Sequence, residues 1–286
     1  MRFLGTSAGE GIPNPFCNCR VCENARNVGG KEIRTRSSFR LSDKVMIDMG
    51  GDFHAQSVFY GENFSGVRHV LYTHTHDDHF NYTAFTARSV RRDNEKAHLK
   101  AYFTGEAMDV IDELYMKEKY TYFGTFAKDN IEFIKLDFLK SSKIDEFTVT
   151  PFRGMHSTPY EKNSANYLIE KSGMKLYYAL DSGYFTDETF EALKNKELDI
   201  FIGELTLPDV LCTPEQQKEN VSEIHMNTYS CLKNLDKLYE NKTITDNTKV
   251  YLSHIGPLAS HVDIEKYFSS LDLPYKIMVA YDGLYI

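Results

Sequence analysis

The stretch His74-Thr75-His76-Asp77-Asp78-His79 places three imidazoles and two carboxylates within six residues, directly after the apolar run Val70-Leu71-Tyr72. A strand that ends there points His74 and His76 the same way, because strand side chains alternate with period two. The chain must then turn to present Asp78 and His79 from a second direction. That geometry suits two neighbouring metal ions, one at the first pair and one at the second. Imidazole and carboxylate are common ligands of zinc and related divalent ions. The bland alternative is a surface His/Asp cluster at a strand end, which rarely brings four ligand-type residues to this spacing.

The bulk properties bound what such a site can serve. The 286 residues suffice for one large domain or two modest ones, and one domain over residues 1–286 is expected. Hydrophobic residues at 42% and charged residues at 26% are ordinary for a soluble globular protein. No apolar run approaches the ~20 residues a membrane span needs. Met1-Arg2-Phe3-Leu4-Gly5-Thr6 reads as an opening strand and turn, not a signal peptide. A cytoplasmic protein without a membrane partner is the expectation. The net charge of −8 argues against broad nucleic-acid binding, while leaving room for one local phosphate pocket. Five cysteines, an odd number without a secretion signal, argue against a disulfide framework. Cys17, Cys19 and Cys22 form C-x-C-x-x-C, the pattern of a metal clip, and Cys212 and Cys231 read as ordinary buried thiols.

Along the chain, a glycine-rich loop from Gly5 to Pro15 precedes the clip. Ser38–Leu41 and Lys44–Asp48 read as strands joined by a turn at Ser42-Asp43, the second stopping at Met49-Gly50-Gly51. Phe147–Phe152, Asn166–Ile169, Leu176–Leu180, Asp199–Ile202, Lys249–Leu252 and Tyr275–Ala280 read as further strands. Helical spacing appears over Met108–Tyr120, Met226–Tyr239 and Ile264–Leu271, and over Thr186–Lys194 with Thr186 as N-cap. The mixture suggests an α/β sandwich with helices covering sheets. The middle of the chain, about Ala97 to Lys140, shows no ligand set and offers a lid or a homodimer surface.

More ligand-type residues sit where strands end: His156 after Val149–Met155, Asp181 after Tyr177–Leu180, and His254 after Val250–Ser253. Loops at strand ends are where a rigid scaffold displays chemistry. Singly, each reads as a hydrogen-bonded histidine or a turn aspartate. Beside the histidine cluster they supply what it lacks, since two catalytic metals want roughly three protein ligands each.

At this point the chain resembles the metallo-β-lactamase superfamily. The pieces run in family order: Ile47-Asp48-Met49-Gly50, then His74 to His79, then His156, Asp181 and His254. The resemblance implies a four-layer αββα sandwich. It also implies one metal on His74, His76 and His156, another on Asp78, His79 and His254, and Asp181 bridging them. Asp48 would support the strand turn. The implied activity is hydrolysis by water activated between two zinc or manganese ions, with Asp78 part of the catalytic machinery.

Leu4-Gly5-Thr6, the cysteine clip and Arg34-Thr35-Arg36-Ser37-Ser38 are together similar to the N-terminus of the phosphoribosyl cyclic phosphodiesterase group of the carbon–phosphorus lyase pathway. By that resemblance the clip holds a structural zinc. The family's fourth ligand is a histidine three residues past the last catalytic-site histidine; Pro257 stands there in this chain, and His261, four residues further, is the candidate substitute. Otherwise the site is incomplete, closed by another group, or empty. His225 carries over as a proton or hydrogen-bond donor to phosphate, with a water-facing histidine at a helix entry as the alternative. Arg34 and Arg36 either reach a substrate phosphate or make structural ion pairs. His54 could border the site, whereas His69 and His98 read as surface residues. The expected function is hydrolysis of a small phosphodiester, cyclic ones included; a lactone, thioester or amide hydrolase and a metal-binding sensor without turnover are the alternatives.

Overall fold

The computed structural model describes residues 1–90, 98–116, 131–158 and 161–286. Six strands form the first sheet in sequence order: β1 (Arg2–Gly5), β2 (Ser38–Arg40), β3 (Val45–Ile47), β4 (His69–Leu71), β5 (Leu99–Thr104) and β6 (Ile131–Leu136). Seven form the second: β7 (Ser142–Ile144), β8 (Phe147–Gly154), β9 (Ser164–Lys171), β10 (Met174–Ala179), β11 (Ile200–Glu204), β12 (Lys249–Ser253) and β13 (Ile277–Val279). β3 to β6 run parallel, and so do β10 to β13, while the remaining pairs are antiparallel.

Among the described residues, the α-helices in chain order are α1 (Arg20–Val28), α2 (Phe53–Tyr60), α3 (Tyr82–Ser89), α4 (Gly105–Val110), α5 (Asp187–Leu193), α6 (Pro214–Glu219), α7 (Thr228–Glu240) and α8 (His261–Ser269). Three apolar clusters show why the layers stack. Phe3, Phe39 and Tyr102 of the first sheet interleave with Val149, Tyr167 and Ile202 of the second, forming the layer between the sheets. Val21 and Ala25 of α1, Phe190 of α5, Leu235 of α7 and Ile264 of α8 cover the outer face of the second sheet. Ala84 and Phe85 of α3 and Ala107 of α4 cover the outer face of the first. Each sheet thus buries both faces, which is the αββα arrangement.

Several elements start where side-chain caps place them. Thr186 caps α5 by accepting from the Thr189 N–H, as its sequence position suggests. α8 starts at His261, three residues before the expected Ile264, because Ser260 and Asp263 close a capping box. Of the helix expected over Met108–Tyr120, Met108 to Val110 belong to α4 and Ile111–Met116 are π-helical. Its remainder lies outside the described residues, as does much of the region read as a lid or dimer surface. Among the described residues, no helix is long and apolar enough to cross a membrane.

One turn binds the first sheet to the histidine segment. The Met49 N–H donates to the His79 carbonyl at 2.9 Å. A Cβ on Gly50 would lie 2.0 Å from the Asp78 carbonyl oxygen, so only glycine permits this approach.

Candidate metal centre

Most of the candidate site residues sit at the carboxyl ends of the parallel strands. Asp48 follows β3, His74 and His76 follow β4, Asp181 follows β10, Glu204 closes β11 and His254 follows β12. His156 comes from the loop after β8. Asp48, Asp181 and His254 all have left-handed backbones, with φ of 57°, 48° and 55°. A non-glycine residue in that region is strained, and such strain concentrates at functional sites. Here it turns the chain sharply at each strand end, and all three side chains reach the His79 ring.

The structure brings these side chains into two groups sharing Asp181. In one, the His76 Nδ1 lies 2.9 Å from His74 Nε2 and 3.1 Å from His156 Nε2. Asp181 Oδ2 stands 3.4 Å from His74 Nε2 and 4.0 Å from His156 Nε2. In the other, His79 Nε2 and His254 Nε2 are 3.1 Å apart, and Asp181 Oδ2 is 2.9 Å and 3.1 Å from them. Asp78 Oδ2 completes this group at 3.3 Å from His79 and 3.7 Å from His254. Tetrahedral zinc with nitrogen at about 2.0–2.1 Å spaces its ligand atoms about 3.3 Å apart. The observed separations therefore suit a cation inside each group.

The tautomers agree with that use. Thr73 Oγ1 lies 3.1 Å and 3.0 Å from the two Asp48 oxygens, so its proton goes to the carboxylate and its lone pair receives the His74 Nδ1–H at 3.1 Å. Asp48 accepts the His79 Nδ1–H at 2.7 Å. Thr206 donates to Glu204 and so accepts from His254 Nδ1 at 3.1 Å. The Ile224 carbonyl faces His156 Nδ1 at 3.4 Å. Four imidazoles thus have Nδ1 engaged and Nε2 turned inward, the arrangement in which outer partners orient metal-ligating histidines. Asp48 supports the turn by fixing both the Thr73 backbone, at 2.8 Å, and the His79 ring.

Burial pushes His74 well below its ordinary value and lowers His156, which keeps both neutral as ligands must be. Burial also disfavours charge on Asp181, but His254, His225 and His79 overcome it and hold the carboxyl well below the usual range. Burial opposes a charged His254, yet Asp181 and Asp78 push it up to about 9. A proton therefore occupies this ligand nitrogen at neutral pH and must leave for a cation to bind. Metal affinity is expected to weaken as pH falls below about 9, by about tenfold per unit for each displaced proton. Zinc titration against a competing chelator at several pH values measures it, and an affinity independent of pH would contradict the coupling.

Further residues complete the surroundings, and sequence reading missed them. Glu204 is fully buried and accepts the Ser182 and Gly183 N–H groups at 2.9 Å and 2.6 Å. Its second oxygen takes the Thr206 hydroxyl and stands 3.3 Å from His225 Nδ1, which is also 3.2 Å from Asp181 Oδ1. Burial disfavours the imidazolium of His225, but these two carboxylates raise it to about 10. His225 is thus gathered into the site through Nδ1 while its ring remains partly open to solvent, at 22% exposure. Glu161, buried beside the cluster, accepts the Thr75 N–H and hydroxyl at 2.9 Å and 2.7 Å, fixing the turn between His74 and His76. A carboxylate at a strand end and one in a loop carry no pattern that separates them from ordinary acids. Only their partners identify them.

Other candidates lie elsewhere. The Cys17, Cys19 and Cys22 sulfurs meet, but His261 does not join them. Its Nδ1 is 2.7 Å from the Arg34 guanidinium and its Nε2 3.0 Å from Glu265, because α8 begins at this residue and buries the ring against Arg34. Arg34 is itself buried and donates to Thr6 and the Ala280 carbonyl at 2.7 Å and 2.6 Å, so it serves structure, not phosphate. Arg36 pairs with Asp52 at 2.7 Å. His54 is exposed on α2, His98 is exposed, and His69 stands 2.9 Å from the Tyr102 hydroxyl. Cys231 is buried as expected, whereas Cys212 is only half-buried.

A sequence profile described as the Beta-lactamase superfamily domain matches residues 43–255, a span holding every histidine and aspartate of the two groups. The chain belongs to the metallo-β-lactamase superfamily. Solved structures of this superfamily's fold align along nearly the whole chain. A diphosphatase of the PhnP family superposes with a TM-score of 0.72 at 20% identity, covering 99% of this chain and 95% of the other. Zn(2+)-bound PqqB from Methylobacterium extorquens gives 0.69 at 17% identity, over 99% and 98%. The short form of human tRNase Z gives 0.59 at 16% identity, over 99% and 96%. An octanoyltransferase from Porphyromonas gingivalis is 27% identical over 99% of this chain, which spans about half (50%) of that protein's length. The metallo-β-lactamase fold and the two His/Asp groups together mark a hydrolase scaffold suited to divalent metal.

Proposed function

We propose that this protein is a metal-dependent phosphodiesterase acting on a small phosphodiester, cyclic ones included. The observation that carries the reading is Asp181, a single buried carboxylate shared by both histidine groups, with His225 against its other oxygen. His74, His76, His156 and Asp181 would hold one divalent ion, and Asp78, His79, His254 and Asp181 a second. Zinc and manganese both suit these donors. When bound, such a pair supplies an activated water and stabilises both the attacking and leaving oxygens of a phosphoryl displacement. The protein's own groups do the rest. Asp48, Thr73 and Thr206 keep the ligand nitrogens aimed inward. His225, charged between Asp181 and Glu204, donates a proton to the departing oxygen. The net charge of −8 favours a small substrate over a long nucleic acid.

The match to an octanoyltransferase supports a second reading, cleavage of an acyl thioester or another carbonyl substrate. One experiment separates them. Zinc- or manganese-loaded protein is assayed on bis(p-nitrophenyl) phosphate and ribose cyclic phosphates, beside an octanoyl thioester and a lactone. Phosphodiester turnover is expected. Its absence in protein shown to hold its metals, with thioester or lactone cleavage present, would replace the first reading by the second. No turnover on any of them would favour a metal-binding sensor.

A further inference from the structure

Three sulfurs meet at the start of α1, apart from the His/Asp groups. The Sγ atoms of Cys17, Cys19 and Cys22 lie within 4.8 Å of one another, and the Cys19 N–H points at the Cys17 sulfur at 3.4 Å. A tetrahedral zinc-type ion with sulfur at about 2.3 Å spaces its ligands about 3.8 Å apart, so the three thiolates suit three corners. Such an ion wants a fourth. Among the described residues, no histidine, aspartate or glutamate shares that cluster.

The titratable groups at the start of α8, which adjoins α1 through the Arg20–Asp263 pair, are engaged elsewhere. The His261 ring takes Arg34 at Nδ1, and its Nε2 lies 3.0 Å from Glu265, within ionic reach though off a hydrogen-bond line. Its backbone N–H donates to Glu32 at 2.8 Å, and the ring meets Tyr281 edge-on at 6.0 Å. Asp263 is bound to Arg20 at 3.0 Å and to the Ser260 hydroxyl at 2.7 Å, as part of the α8 cap. The clip itself opens outward: Cys22 is buried, but Cys19 is exposed and Phe16 beside Cys17 is 98% exposed.

We propose that the clip is a three-thiolate site for a thiophilic divalent ion whose fourth position faces solvent and takes an exchangeable imidazole- or thiol-type ligand. It differs from a closed structural zinc site, where the protein fills all four positions. The proposal does not depend on the reaction assigned to the His/Asp groups.

Cobalt substitution reads this site selectively, because neither His/Asp group contains a thiolate and only the clip gives a sulfur-to-cobalt charge-transfer band. In full-length cobalt-loaded protein, that band is expected to be present, to weaken by about a third in Cys19→Ser as one of three thiolates is lost, and to shift saturably on adding imidazole. The His261→Asn variant should show the same band and the same imidazole midpoint within about twofold. A wild-type band indifferent to imidazole would overturn the proposal, as would a His261→Asn band already altered without imidazole. A missing charge-transfer band in wild type would equally overturn it. The wild-type titration decides the matter even if His261→Asn folds poorly.

Discussion

Asp181→Asn is expected to strip metal from both His/Asp groups and to lower phosphodiester turnover by at least about 100-fold, beyond what loss of an outer hydrogen-bonding partner usually costs. Asp181 Oδ2 lies within 4.0 Å of ligand nitrogens on His74, His79, His156 and His254. Among the described residues, no other side chain belongs to both groups. Asparagine keeps the shape and removes the charge, so the loss reads as electrostatic and not as a cavity. Asp78→Ala is the contrast, because Asp78 joins only the group with His79 and His254. It should lose roughly half of the metal held by the two His/Asp groups, with the ion of the cysteine clip kept, and still remove most turnover, since both positions act together. Metal content by elemental analysis, measured beside turnover, tests the pair. If Asp181→Asn keeps both ions and full activity, the shared-ligand assignment fails. If Asp78→Ala empties both positions, the two groups are not separable.

The contrast between these variants mirrors what could be read from the chain before folding. His74 to His79 declares itself because four ligand-type residues at that spacing are hard to explain otherwise. Asp181 and His254 become legible only beside that cluster, each being one ordinary residue at a strand end. The sandwich is legible for the same reason, in β-branched and aromatic runs separated by turns. What stays hidden is the support. Glu204 ends a buried strand and looks like any acid there, yet it gathers Ser182, Gly183, Thr206 and His225. α2 carries a weak helical pattern, whereas α1 buries Val21, Cys22 and Ala25 at helical spacing, a signal that the overlapping cysteine clip obscures. His261 misleads in the opposite direction. Sequence proximity to His254 nominates it for the clip, but the capping box at Ser260 starts a helix there and hands the ring to Arg34. Spacing along a loop does not predict which face a newly started helix presents.

The His225→Ala variant should separate substrates by their leaving groups. His225 stands between Asp181 Oδ1 at 3.2 Å and Glu204 Oε2 at 3.3 Å, and these carboxylates raise it to about 10 against the opposing effect of burial. It is therefore charged at neutral pH and able to give up a proton. A departing alkoxide needs that proton, whereas p-nitrophenolate leaves readily without it. Loss of a general acid costs about 10²–10⁴-fold. The alanine variant should lose activity in this range on alkyl phosphodiesters, including ribose cyclic phosphates, and less than about tenfold on bis(p-nitrophenyl) phosphate. Glu204→Gln should follow the same pattern in milder form, since it weakens the hold on the His225 proton without removing the ring. It should also disturb Thr206 and, through it, the His254 orientation. Metal content distinguishes the two effects: His225→Ala should keep its metals, because His225 gathers with Glu204 against Asp181 Oδ1, while the histidines of the two metal groups face Oδ2. An equal loss on both kinds of substrate would assign His225 to substrate binding or site structure, and leave proton donation to another group.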